Sequence, residues 1–150
     1  MGNALFYHLT RSTAERLLPQ LLGKAASAGW RVELRGQEAT RLTQLDEALW
    51  LGEGFLPHGL AGGPHDARQP VLLRPSDAPP AANSPDCLMA LDGTEIGADE
   101  AARLERVCVI FDGNDPQAVE RAREQWRSLT GAGIAAEYWS EAGGRWEKKR

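Results

Sequence analysis

Apolar residues come in short clusters along the chain, and their period switches repeatedly between that of a strand and that of a helix. Asn3 to Leu9 carries Leu5, Phe6 and Tyr7 and is closed by Thr10, which predicts a first strand. Leu17, Leu18, Leu21 and Leu22 then recur at helical spacing, and Ser12 with Glu15 supplies the S-x-x-E capping pattern ahead of them. Pro19 falls too deep for the first turn, so this helix is expected to start late or to bend there. Gly29 stops it, and Trp30 to Arg35 reads as the second strand. A second helix is predicted from about Glu38 to Leu51, with Leu42, Leu45, Leu49 and finally Trp50 on its apolar side.

Between Gly52 and Asp86 the pattern breaks down into Gly, Pro and Ala, and only Val71 to Arg74 reads as a strand. Residues 75–86, centred on SDAPPAANSPD, are expected to form a mobile surface loop. Order returns with a strand at Cys87 to Leu91, a short helix over Ala98 to Leu104 and the run RVCVIF from Arg106 to Phe111. That run is the most strand-like segment in the chain. Asp115 as N-cap and Pro116 at the first helical position open a helix through Ala118, Val119, Ala122 and Trp126. Ile134 to Trp139 is the last predicted strand, and residues 145–150 form a polar tail. Strands alternating with helices predict one α/β domain over 1–150, a doubly wound three-layer sandwich on a mostly parallel sheet.

Composition agrees with a single domain, since 150 residues with 42% hydrophobic content suit one core rather than two. No run of about 18 apolar residues crosses a bilayer, and Met1 to Tyr7 lacks the build of a signal peptide, so a cytoplasmic location is expected. Cys87 and Cys108 sit inside apolar runs without C-x-x-C spacing and are expected to be buried thiols, not a disulfide or a metal pair. The net charge of -4 argues against a dedicated nucleic-acid binder. From Arg121 onward, however, seven bases face four acids, which leaves +3 on this end and -7 on the rest. A positive end on an acidic body suits an acidic partner, either a peptide or a phosphate backbone.

A doubly wound order invites a nucleotide, yet Leu9-Thr10-Arg11-Ser12 has no glycine to admit a pyrophosphate, and neither G-x-G-x-x-G nor a P-loop occurs. Asp112-Gly113-Asn114-Asp115 reads as a cap and turn, because its carboxylates would repel phosphate. His8, His58 and His65 are scattered, and no nucleophile elbow is present. No catalytic residue, metal or cofactor is therefore expected. Two surface clusters remain. Trp50, Phe55, Leu56 and Pro57 place aromatic and aliphatic groups at a helix end and its loop, which suits a protein interface. His58 beside them reads as a loop hydrogen-bonding residue that could join the contact. Arg123, Trp126 and Arg127 fall at i, i+3 and i+4 on one helix face, where guanidinium groups can take carboxylates around a ring. The plainer alternative is a solvated basic face with Trp126 half buried.

Three segments together resemble the chi subunit of bacterial DNA polymerase III, an accessory of the clamp loader. They are NALFYHL, the pair LDEALW and FLPHGLAG, and VIFDGNDPQAVERAREQWRSLTGAG. The resemblance implies a Rossmann-like fold with no nucleotide site and no activity of its own within a DNA-directed DNA polymerase complex. It also implies two partners. Residues matching Trp50 and Phe55, with Leu56, Pro57 and His58 around them, would contact the psi subunit. Residues matching Arg123, Trp126 and Arg127 would hold the acidic tail of single-stranded DNA-binding protein, which ends in Pro-Phe with a free carboxylate. In the family the aromatic is often Tyr and the next base Lys. Nucleic acid would then be met only indirectly or weakly; the competing readings are direct single-strand binding through Trp126 and the basic end, and a nucleotide-fold enzyme.

Overall fold

The computed structural model describes residues 3–52 and 57–150. Its elements run β1 (Asn3–Leu9), α1 (Ala14–Ser27), β2 (Val32–Gly36), α2 (Ala39–Leu51), β3 (Gly59–Leu60), a 3-10 turn at Asp66–Arg68, and β4 (Val71–Pro75). They continue with β5 (Cys87–Leu91), α3 (Ala98–Arg103), β6 (Arg106–Asp112), α4 (Pro116–Gly131), β7 (Ala135–Ser140) and β8 (Glu147–Lys148). The strands form one sheet in the order β3-β4-β2-β5-β6-β1-β7-β8. Pairing is parallel except at β7–β8, so the expected three-layer α/β sandwich is the fold.

The sheet divides the core in two. On one side α1 and α2 pack Leu18, Leu22, Leu42 and Leu45 over Leu34, Leu73 and Met89. On the other, α3 and α4 place Ala101, Ala118, Ala122 and Leu129 over Ala4, Phe6, Leu88 and Val107. Because Cβ atoms alternate across a strand, β1 sends Phe6 and His8 toward α4, and Leu5, Tyr7 and Leu9 toward α1. β1 lies between β6 and β7, with Phe6 opposite both Val109 and Tyr138. Cys87 and Cys108 are buried free thiols.

One local expectation is corrected. The capping box at Ser12 and Glu15 does not form: Thr13 is the N-cap of α1 and makes no side-chain cap bond. The hydroxyl of Ser12 instead donates to Glu141, and Glu15 is bridged by Arg41 at 2.6 Å. Pro19 sits inside α1 without delaying its start at Ala14. At α4 the expected start holds, with Asp115 accepting from the Gln117 amide at 3.0 Å and Pro116 in the first turn. The turn before it requires glycine, since a Cβ on Gly113 would lie inside the His8 ring.

Segment 76–86 has no helix or strand, but side chains tie it to the sheet. Arg74 donates to the carbonyls of Ala78 and Pro79, both at 2.7 Å. Asn83, fully buried, donates to the carbonyls of Val32 and Gln69. The polar tail gains structure as well. β8 pairs Lys148 with Trp139 and Glu147 with Ser140, and the Lys149 amide then donates to the Tyr138 carbonyl at 2.7 Å. A strand of two paired residues has no periodicity to betray it.

Candidate docking sites

The Arg123, Trp126 and Arg127 face of α4 lines a cavity of about 510 Å3, completed by Tyr138 from β7 and by Lys149 and Arg150 beyond β8. Trp126 forms its half-buried floor. Its ring meets Phe6 edge-on with centroids 5.2 Å apart and Tyr138 at 6.0 Å. The sequence brings these rings together because position 126 of α4 and alternate residues of β1 and β7 share one side of the sheet. The Arg150 guanidinium lies over the same ring, 5.7 Å from its centroid. That is within the range of a cation–π contact.

Four cations thus surround one apolar floor. Arg123 and Arg127 share Glu120, each at 3.8 Å, while remaining 64% and 66% exposed. Exposed pairs of this length are worth at most about 1 kcal/mol, so an incoming carboxylate can displace Glu120 readily. Burial raises the Tyr138 hydroxyl above its ordinary value, against the pull of Arg123 and Arg150, so it stays protonated. It meets His8 Nδ1 at 2.5 Å, which fixes the phenol against the back of the pocket. Chemically, the arrangement can take a short anionic segment and seat one apolar side chain beside the indole.

The second cluster lies on the opposite side of the sheet, at its other end. Trp50 lies in the last turn of α2 with half its surface exposed, and Leu51, which ends the helix, is 87% exposed. Pro57 is exposed too. His58 is buried beneath the Trp50 ring, with centroids 4.2 Å apart, and its Nε2 lies 3.1 Å from the Asp46 carbonyl. The imidazole therefore supports the indole from below and presents little surface itself. Phe55 and Leu56 lie outside the described residues.

A larger cavity of about 860 Å3 opens over β2 and β4, yet four of its charged residues, Glu33, Arg35, Arg74 and Glu100, already pair with one another. Glu33 accepts from Arg35 at 2.7 Å and from Arg74 at 2.9 Å, and Arg35 also reaches Glu100 at 2.7 Å. A ligand there would have to break a buried network, so these residues read as structural. At the carboxyl ends of β1 and β6, where this class of sheet commonly binds phosphates, an internal carboxylate fills the position. Glu141 accepts from the amides of Thr10, Arg11 and Ser12 at 3.0, 2.8 and 2.5 Å, and from the Ser12 hydroxyl at 2.8 Å. No group of three or more metal-ligating side chains occurs among the described residues. No helix among them is long and apolar enough to cross a membrane.

Three of the six residues lining this pocket, Arg123, Trp126 and Arg127, are legible as a site in the sequence. Tyr138 was predicted only as part of a strand, Lys149 and Arg150 only as tail charges, and Glu141 had no local signal at all.

Fold and site together define a Rossmann-like α/β sandwich whose phosphate position is closed by its own carboxylate. The family model described as DNA polymerase III chi subunit, HolC, matches residues 1–137, and the chain belongs to that family. It is thus a non-catalytic accessory subunit of DNA polymerase III, working in DNA replication. Comparison with curated proteins finds no match. Among solved structures, the C-terminal domain of a possible DNA helicase from Lactobacillus plantarum WCFS1 is similar, with a TM-score of 0.56 at 11% identity. The likeness covers 90% of this chain and 84% of that one, and at such identity it speaks to the fold alone.

Proposed function

We propose that this subunit is a cytoplasmic tether, joined to the clamp loader through a psi subunit at the Trp50 corner. At the Trp126 pocket it holds the acidic C-terminal tail of single-stranded DNA-binding protein. The observation that carries the reading is the pocket itself, in which Arg123, Arg127, Lys149 and Arg150 surround the half-buried Trp126. A tail ending in Pro-Phe with a free carboxylate matches it in charge and in its one apolar side chain. At the other surface, the exposed Trp50 and Leu51 with Pro57 supply apolar contact area with little charge.

Direct single-strand binding is the second reading, favoured by the same four cations. Stacking of successive bases, however, calls for a series of open aromatic platforms along a groove. Here the pocket holds two half-buried rings, Trp126 and Tyr138, set edge to face at 70° and not in a row, and Arg150 lies over the first. Titration with a synthetic aspartate-rich peptide ending in Pro-Phe, and separately with a single-stranded oligonucleotide, distinguishes the two. The tether requires peptide binding that is lost when the terminal Phe is removed, with far weaker oligonucleotide binding. Equal affinity for the shortened peptide, or preference for the oligonucleotide, overturns it.

A further inference from the structure

Half of the cations in the Trp126 pocket come from a segment with little to hold it. Lys149 and Arg150 follow β8, which is paired to β7 at only two register positions. Beyond these, the Lys149 amide bonds the Tyr138 carbonyl at 2.7 Å, and the Tyr138 amide reaches the Arg150 carbonyl at 3.4 Å. A two-residue edge strand is marginal by itself. Its placement depends on how the connection from β7 is fixed.

That connection starts at Glu141, which is only 4% exposed. Its Oε1 collects the three consecutive amides of the β1–α1 loop, and its Oε2 takes the Ser12 hydroxyl. Four donors on one carboxylate form the densest polar contact between the hairpin and the rest of the domain. The Gly144 amide turns back onto the Glu141 carbonyl at 2.9 Å, so the side chain that enters the loop and the backbone that forms the turn belong to one residue. Trp146 is a second anchor, edge-on to Tyr7 at 5.6 Å on the α1 side of the sheet. Burial alone would raise the Glu141 carboxyl, but the bonds from Ser12, Arg11 and Thr10 outweigh it and hold the group below its ordinary value.

We propose that Glu141 is a positioning residue for the acidic-peptide pocket, holding the β7–β8 hairpin so that Lys149 and Arg150 stand in the same cavity as Arg123 and Arg127. The inference rests on the tail-binding reading of that pocket. Glu141 touches no part of the pocket itself and lines none of it. It acts through the path of the chain from Ser140 to Arg150. Without it, β8 frays from the edge of the sheet, and the pocket keeps its floor and the α4 cations but loses the other two.

The test is a mutant cycle with the full chain. An aspartate-rich peptide ending in Pro-Phe is titrated by calorimetry, at two salt concentrations, into the wild type and Glu141→Ala. The same is done for Lys149→Ala/Arg150→Ala and for the triple variant. Glu141→Ala is expected to weaken binding by about three- to tenfold, inside the roughly two- to thirtyfold range for residues coupled to a site without contacting it. It should also flatten the salt dependence, as the double variant does, and the triple variant should be no worse than the worse of the two. Glu141→Gln, which keeps acceptor oxygen but not charge, should fall between and carries the same cycle if Glu141→Ala does not fold. Wild-type affinity and salt dependence in the folded Glu141 variants, or losses that multiply in the triple variant, overturn the proposal. Amide hydrogen exchange keeps the two readings apart. If the wild type binds no peptide, the tail-binding reading fails. The latch is then judged by the Lys149 amide, which should exchange faster in the variant and which overturns it by staying unchanged.

Discussion

Trp50 and Trp126 both stand on helices that flank the same sheet, and their surroundings make them opposite kinds of surface. Trp50 lies in the α1–α2 layer with Leu51 and Pro57 exposed around it and a buried imidazole behind its ring. Trp126 lies in the α3–α4 layer, tilted into Phe6 and Tyr138 and ringed by cations. An exposed indole among apolar neighbours offers area to a folded partner. A recessed indole among cations offers one apolar contact to an anionic chain. The aromatic residue is the same in both, so what each surface can bind is decided by burial and charge around it, and the sheet stands between the two surfaces.

The strongest break in this comparison should come from Arg123→Ala. If Arg123 grips the terminal carboxylate of a tail peptide, its loss should cost about 1.5–3 kcal/mol. Titration should show that loss with no change in binding of a psi-type partner. Trp50→Ala should do the reverse, costing roughly 2 kcal/mol toward that partner, with tail-peptide affinity unchanged. Pull-down of clamp-loader components alongside the peptide titration reads both. A fall in both affinities for either variant would mean that the surfaces are coupled.

Smaller effects sharpen the contrast within the cationic pocket. Arg127→Ala should cost less than Arg123→Ala, below about 1 kcal/mol, and act mainly through salt dependence, as a steering charge does. Trp126→Ala should weaken the peptide with nearly the wild-type salt slope, because it removes apolar contact and no charge. Calorimetry at two salt concentrations separates these signatures, and matching slopes for the two variants would contradict the assignment.

The smallest predicted effect concerns stability. The Glu141 carboxyl is held below its ordinary value of 4.5, so its contribution is complete above that pH and is lost as pH falls through the lowered folded value. Thermal unfolding of wild type and Glu141→Gln should therefore differ near neutrality and converge in acid. A gap that keeps its full size, or widens, as pH is taken down through the lowered folded value would show that the carboxylate charge is not what the loop amides recognise.

Much of this fold is legible because the strands at the centre of the sheet are apolar on both faces, and because Asp115-Pro116 and the leucine spacing of α1 each have one local reading. The capping pattern at Ser12 misled because a carboxylate 129 positions away claimed the hydroxyl. Local sequence contains no trace of such a partner. Arg123, Trp126 and Arg127 were found because one helix carries all three. Tyr138 reads only as part of a strand, because the sequence does not say that β7 lies beside β1, and Lys149 and Arg150 reach the pocket only through a strand pairing that two polar residues, Glu147 and Lys148, do not advertise.

The separation of the two surfaces can be observed directly through the indole N–H signals of the five tryptophans in a 15N-labelled sample, assigned with Trp50→Phe and Trp126→Phe. On titration with an aspartate-rich peptide ending in Pro-Phe, the Trp126 indole should shift to saturation while the Trp50 indole stays in place. A shift at Trp50 with Trp126 unmoved, or no shift at either, would contradict it.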